Sequence, residues 1–573
     1  MAALVTGHRW PGKRWELQGS IPCGVCFLQL AYKEAFLSHQ LIRSCNPTPS
    51  FMLVNGLGLA FIVRQNGVES GNIKQFHPSL NTLSIFSSSP NPHIRKVNIM
   101  VLDSGSKRAV HVQGKAATHS FYQVGYEQAA AATKYKFARY KSQEPIIPSP
   151  DIFDFESSTN NRTTVSADSA GFRLPLAAEC AAHLELLEVF YVLRQRILRS
   201  PEIDAAMGII PIRQTKTGVN GDTKTLKDPS LWQRRQDKWP KFIEFAVIRF
   251  LEWRKTLSTE SHFYLPPLDV LMVWHSFLLN PRLLQTHCMD EPLYKMRMPW
   301  QKIHESIDNN EWNFNHHVEA AASFKTATGL SPDLFDQLSN WEPQLANLTT
   351  LTLDESSPPG RTPSPPCELP PSQKHYFTLF HTTPKDLAIQ LRDAVIRQTA
   401  FIDKMNAHMW IRSPSLAGTL RRAISRYDKF LTLLKLYNTP QQTIVPTLDI
   451  DLVWHTHQCS SAVGYARGMK ERVGRFVNHD DSIGKDTLED GFGRTSKWFR
   501  IRFGMEYRVC GCWDCEGLLD EVEGVGAGDG REEVDMEVVA KRVNERVTFF
   551  RFAEFARRKK QPLPVWEESV MGS

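Results

Sequence analysis

The chain has 573 residues, 42% of them hydrophobic, with 68 Lys and Arg against 61 Asp and Glu for a formal net charge of +7. This length exceeds one ordinary core, so about two to four domains are expected, and the composition is globular rather than disordered or fibrous. A mild positive balance spread over such a chain argues against a dedicated nucleic-acid binder, which gathers its basic residues into a patch or stripe.

The ten cysteines are too sparse for a disulfide scaffold and point to a reducing, intracellular compartment, cytoplasmic or nuclear. No stretch reaches the roughly 18 apolar residues that span a bilayer. Phe51 to Val63 comes nearest and is broken by Asn55, Gly56 and Gly58, so no membrane insertion is expected. The opening MAALVTGHRWPGKRW lacks the continuous apolar segment of a signal peptide.

Residues 1–170 are poorly patterned, and Ser142 to Ser169 is polar and Pro/Ser-rich, which reads as a partly disordered lead-in. Cys23-Gly-Val-Cys26 has redox or metal spacing but stands without a second pair. From Leu174 the character changes. Leu184, Leu187, Phe190, Leu193 and Ile197 recur at helical spacing, and Trp239, Phe242, Ala246, Phe250 and Trp253 mark a second helix. Residues 171–345 are therefore expected to form a first helical repeat domain. Residues 346–373 end in DESSPPGRTPSPPCELPPSQ, an extended linker. Thr362 and Ser364, each followed by proline, are candidate phosphorylation sites, and Arg361 to Pro366 would suit an SH3-like groove, although a plain spacer is the simpler reading. Beyond it, Leu387, Leu391, Val395 and Ile396 lead one helix and Ile424, Tyr427, Leu431 and Leu434 line another, opening a second helical repeat domain over 374–530. Residues 531–573 carry an amphipathic helix that turns basic at Arg557 to Lys560. That basic end suggests a localisation signal or an acidic partner, or simply cations that suit a helix C-terminus. The overall expectation is a mainly α protein built from two related helical domains.

The relation between the halves is direct. Pro266 to Ser276, PPLDVLMVWHS, aligns with Pro446 to Thr456, PTLDIDLVWHT, at a constant offset of 180. Each block follows a long aromatic-rich helix, the mark of an internal duplication. Asp269 and Asp449 stand where they would cap a helix start. Trp274 and Trp454 fall on the buried face, followed by His275 and His455. The second copy alone adds polar groups. Asp451 replaces Leu271, and His457 replaces Phe277. Asp451 precedes His455 by one turn, so the carboxylate can orient the imidazole. His457 projects about 200° round an ideal helix from His455, so both bind one ion only if the helix ends or unwinds between them.

Downstream, VGRFVNHDDSIG brings His479, Asp480 and Asp481, and EYRVCGCWDCEG brings Cys510, Cys512 and Cys515 in C-x-C-x-x-C spacing. Zinc takes four ligands from thiolate and imidazole, and His455, His457 or His479 could complete the cysteine set, with Asp451 and Asp480 as orienting groups. Packing or redox-labile thiols are the alternative.

PTLDIDLVWHTHQ, Tyr465, NHDD and YRVCGCWDCE together resemble the glycine-rich domain-containing protein-like family of fungi and plants, in two copies over roughly residues 175–520. The resemblance implies a domain of unknown function, with RNA binding suggested for plant relatives through additional segments. Here only GVGAGDG, residues 524–530, stands for the glycine-rich tail. Some fungal relatives bear names suggesting a 2-oxoglutarate-dependent dioxygenase, which implies iron held by two histidines and a carboxylate, for which His455, His479 and Asp480 are candidates. Zinc is the cofactor the residues suggest first, with iron second.

The chain has no P-loop, no G-x-S-x-G and no convincing G-x-G-x-x-G. The leading expectation is a non-enzymatic interaction or scaffold protein with protein partners. A metal-dependent enzyme using the His/Cys/Asp cluster is the alternative. RNA binding is the third reading, and it needs exposed aromatics interleaved with basic residues.

Overall fold

A computed structural model describes residues 148–155 and 172–563, apart from 218–219, 221, 227, 259–262, 342–350, 355–368, 438–442, 482 and 527–535, together with short strands between residues 51 and 100. The expectations placed on Cys23 and Cys26, on Thr362, Ser364 and Arg361 to Pro366, and on most of the lead-in and of GVGAGDG lie outside the described residues. The protein is mainly α. It forms two compact units, one from residues 146–411 and 416–507, the other from 1–145, 412–415 and 508–573. The helices that carry both sequence blocks, 266–276 and 446–456, lie in the first unit. Among the described residues no helix is long and apolar enough to cross a membrane.

The first unit is organised around α1, Ala177–Arg199. Glu179, in its first turn, accepts from the backbone N–H of Leu176 at 2.8 Å and holds Arg173 at 2.7 Å, which satisfies one of the orphan donors of a helix start. The apolar spacing predicts one buried face. Instead α1 is covered on nearly every side, including His183, Glu185 and Glu188, the pattern of a helix inside a core. Its polar side chains are accordingly partnered. Asn406 Nδ2 donates to both oxygens of Glu188 at 2.7 and 2.9 Å, and His304 meets Glu185 at 2.7 Å.

Around α1 pack α2 (Lys238–Lys255), α3 (Leu268–Leu278), α4 (Lys385–His408), α5 (Leu416–Leu436) and α6 (Leu448–Gln458). α1 touches α2, α4, α5 and α6, while α4 also covers α2 and α3. Two long-plus-short helix pairs recur, α2 with α3 and α5 with α6. Each is clasped by one buried ion pair. Arg249 Nε donates to Asp269 Oδ2 at 2.6 Å, and Arg426 Nε donates to Asp449 Oδ2 at the same 2.6 Å. The aspartates therefore do not cap their helices. Pro267 and Thr447 occupy the N-cap positions, with no side-chain cap in either helix, because a guanidinium from the long helix takes the carboxylate in a stronger, charge-assisted bond. Trp274 and Trp454 are both buried beside these clasps.

α7 (Ala462–Val473) and α8 (Lys485–Phe503) follow α6. Gly491 in α8 lies so close to the chain before α6 that an added Cβ would stand 2.8 Å from Val445 Cγ2 and 3.0 Å from the Thr443 carbonyl; only a residue without a side chain permits that approach.

In the second unit, α9 (Trp513–Gly526) packs against α10 (Met536–Arg558). Val539, Val543, Val547 and Phe549 form the buried side of α10. Its basic end folds back on one buried carboxylate: Glu554 pairs with Arg557 and Arg558 at 2.7 and 2.6 Å and with Arg412 at 2.9 Å. Three cations surrounding it hold the Glu554 carboxyl below its ordinary range against the opposing effect of burial.

Candidate metal centre

α6 runs unbroken through its two histidines, from Leu448 to Gln458, so their rings diverge. His457 enters an aromatic box. Its Nδ1 lies 2.8 Å from the Tyr427 hydroxyl, and Phe172 and Tyr465 meet the ring edge-on. Burial, assisted by the charge of Arg173, pushes its pKa down to about 3, so it is a neutral packing group.

His455 faces the other way, onto the loop between α7 and α8. Its Nε2 stands 3.1 Å from His479 Nε2, and Asp451 Oδ1 lies 3.4 Å from the first nitrogen and 3.6 Å from the second. The three atoms form a near-equilateral triangle. Asp451 Oδ1 and His455 Nδ1 have no hydrogen-bond partner. His455 is buried, and although the Asp451 side chain as a whole keeps 23% of its surface, its Oδ1 is buried as well, so the triangle is enclosed.

The loop that carries His479 is fixed at both ends. Trp454 Nε1 donates to the Tyr465 hydroxyl at 2.9 Å, and that hydroxyl donates to the Val477 carbonyl at 2.9 Å. On the far side Asp481 accepts from Arg397 Nε at 2.7 Å and Gln398 Nε2 at 3.1 Å. The three groups are electrostatically linked. Burial drives the His455 pKa well below normal despite the Asp451 charge. At His479 burial acts in the same direction but is outweighed by the nearby Asp451 carboxylate, so its pKa is raised. Burial would raise Asp451, yet the two imidazoles hold it low and ionised.

The distances can be compared with what a metal requires. Donor atoms about 2.1 Å from one ion and about 90–110° apart are about 3.0–3.4 Å from each other. The observed edges of 3.1, 3.4 and 3.6 Å match to within a few tenths of an ångström. The partnerless carboxylate oxygen aimed at two imidazole nitrogens is the arrangement that a shared cation satisfies.

The aligned block at 266–276 uses the same position differently. His275 corresponds to His455, but its Nε2 meets His183 Nε2 at 2.8 Å, and His183 Nδ1 meets Thr456 Oγ1 at 2.8 Å. The Thr456 hydroxyl gives its proton to the Leu452 carbonyl at 2.8 Å, so it accepts from His183, whose Nε2 in turn accepts from His275. With Leu271 where Asp451 stands, no carboxylate faces this pair, and it is a neutral, directional hydrogen-bond chain. Burial lowers both pKa values, His275 to about 3 and His183 well below the ordinary histidine range. The sign follows: an unfolded chain binds protons that the folded one refuses. Below pH 6.5, and down to about pH 3 for His275, stability is expected to fall by about 1.4 kcal/mol per pH unit per histidine. Urea midpoints measured at pH 7.5, 6 and 5 should decline; a midpoint that stays level would refute the neutral-pair assignment.

Of the residues singled out in the sequence, Asp451, His455 and His479 come together and His457 does not join them. Asp480 is exposed; the carboxylate that faces the two imidazoles is Asp451, and the one that anchors the loop is Asp481. Cys510, Cys512 and Cys515 belong to the second unit and form a group of their own. His183, which pairs with His275, carried no signal in the sequence, since one histidine on a helix has no spacing to mark it.

Fold and site thus define a helical protein with a buried histidine network and an Asp-His-His cluster. Residues 363–468 match the model of the glycine-rich domain-containing protein-like family; the match includes Asp451 and His455 and ends before His479 and the cysteines. The chain is 27% identical over 283 residues to glycine-rich domain-containing protein 1 of Arabidopsis thaliana, covering 47% of this chain and 29% of that protein. It is 29% identical over 259 residues to glycine-rich domain-containing protein 2 of the same plant, covering 43% of this chain and 26% of that protein. The chain therefore spans less than a third of the length of these relatives. No solved structure matches it.

Proposed function

We propose that this chain is a metal-dependent protein holding one divalent first-row transition ion through Asp451 Oδ1, His455 Nε2 and His479 Nε2. The observation that carries this reading is the triangle of donor atoms, 3.1, 3.4 and 3.6 Å on its edges, with a carboxylate oxygen that has no other hydrogen-bond partner. Asp451 supplies charge and the histidines supply neutral nitrogen. Three protein ligands leave further coordination positions of the ion to small ligands such as water. Two histidines and one carboxylate suit iron(II) for oxygen chemistry or zinc for activating water. The duplication fits a division of labour in which His275 and His183 pack while the second copy holds the ion.

The interaction-protein reading rests on the duplication and the missing nucleotide and nucleophile motifs. RNA binding draws less support, because Trp239, Phe242, Phe250, Trp253, Trp274 and Trp454 are buried and offer no stacking platform. The test is elemental mass spectrometry on the full-length chain, purified without chelator, beside His479→Ala. The expected result is near-stoichiometric iron or zinc that drops by one equivalent in the variant. A folded chain with the same metal content in both forms sinks the proposal and leaves the interaction reading.

A further inference from the structure

The cysteine group of the second unit is independent of that centre. Cys510, Cys512 and Cys515 place their sulfurs within 4.8 Å of one another, with Cys510 and Cys512 Sγ only 3.3 Å apart. Cys510 and Cys512 lie on the segment entering α9, and Cys515 lies in its first turn. The Cys512 carbonyl accepts from the Glu516 N–H at 3.0 Å, which fixes the entering chain to the helix.

The helix start is itself held rigidly. Trp513 is buried. Asp514 is bound to Arg551 of α10 at 2.5 Å, so its charge is matched. Gly517 is pressed against α10, where an added Cβ would stand 2.8 Å from Val543 Cγ1. The three thiols are therefore presented at a helix start that is held in place by α10.

We infer that Cys510, Cys512 and Cys515 form a three-thiolate site for zinc, its fourth position open to water or an exogenous ligand. Zinc holds sulfur at about 2.3 Å, so three sulfurs around one ion lie about 3.7–4.0 Å apart. The observed range brackets that value and needs shifts of under about 1 Å. A disulfide needs the sulfurs at about 2.05 Å, and Cys510 and Cys512 are separated by Gly511 alone, a tight ring to close. Thiolate is the ligand type that selects zinc over magnesium or calcium, and the N-terminal end of α9 offsets part of the excess negative charge of three thiolates around a divalent ion. The described residues of this unit contain no histidine.

Per-residue thiol protection on the reduced, full-length wild-type chain tests this without requiring any variant to fold. The chain is alkylated with and without added zinc, then with zinc plus EDTA, and each cysteine is followed by mass spectrometry. Zinc is expected to slow Cys510, Cys512 and Cys515 together by about tenfold or more, since alkylation proceeds through the free thiolate; EDTA should restore them. The same protection in Asp451→Leu would show that the site is separate from the Asp451 centre. Unchanged rates with zinc, protection of only one or two of the three, or a Cys510–Cys512 disulfide formed once reductant is removed would each overturn the proposal.

Discussion

Replacing Asp269 with alanine is expected to destabilise the first unit by about 3–5 kcal/mol, among the largest effects of any single substitution in the chain. The reason is the guanidinium left behind. Arg249 is fully buried, and its Nε and Nη2 both donate to Asp269, at 2.6 and 3.3 Å. The Ser331 carbonyl at 2.6 Å and the Tyr376 hydroxyl at 3.2 Å satisfy Nη1, but neither is a counter-charge. Removing the carboxylate leaves an uncompensated cation in the core, which costs far more than the bond itself was worth. The paired replacement Arg249→Met with Asp269→Leu should recover most of the loss, because it removes both charges and fills the volume. Asp449→Ala should cost less. Asp449 keeps 14% of its side-chain surface, and Arg426 retains the Tyr507 carbonyl at 2.6 Å and Thr447 Oγ1 at 3.1 Å. Urea unfolding of the three variants beside the wild type measures the order. An Asp269→Ala loss under about 1 kcal/mol would contradict the buried clasp, because breaking such a pair costs several times that.

The second large effect separates the two polar additions of the second copy. Asp451→Leu and His457→Phe each restore the residue found in the first copy, Leu271 and Phe277. Asp451→Leu should abolish metal binding at the His455–His479 pair, weakening it by well over the roughly 10–100-fold that loss of a mere supporting residue causes. It removes a ligand and the only carboxylate of the triangle. His457→Phe should leave metal content unchanged and cost stability instead, because Tyr427, bonded to His457 at 2.8 Å, would keep a buried hydroxyl without its partner. Titrating both variants with zinc or iron(II) and following their unfolding gives a crossed result if the assignment holds. Equal metal loss in both would show that His457 belongs to the site.

Much of this was legible in the amino acids, and the illegible part has a physical explanation. Helices such as Lys238–Lys255 and Leu416–Leu436 announce themselves through apolar residues at helical spacing, because one face meets a core and the other meets water. The recurrence of Asp, Trp and His at an offset of 180 was equally plain. Ion pairs between elements were not. Nothing near Asp269 names Arg249 as its partner, so local capping was the expectation, and a long-range guanidinium prevailed. His479 was visible as a candidate, but adjacency suggested Asp480, whereas the helical turn that places Asp451 against His455 also delivers it to His479. α1 misled through burial. Its apolar stripe was real, yet the polar residues opposite it, Glu185 and Glu188, are buried too, each satisfied by a partner more than a hundred residues away.

That last arrangement has a cost during synthesis. His183 finds Thr456 across 273 residues of chain, and Glu188 finds Asn406 across 218. At about 5–20 residues per second, a ribosome needs roughly 15–55 s to bridge the longer gap. For most of that interval α1 is outside the exit tunnel without α5 and α6, two of the helices that cover it. The core around α1 is thus completed only after residue 456 has been made.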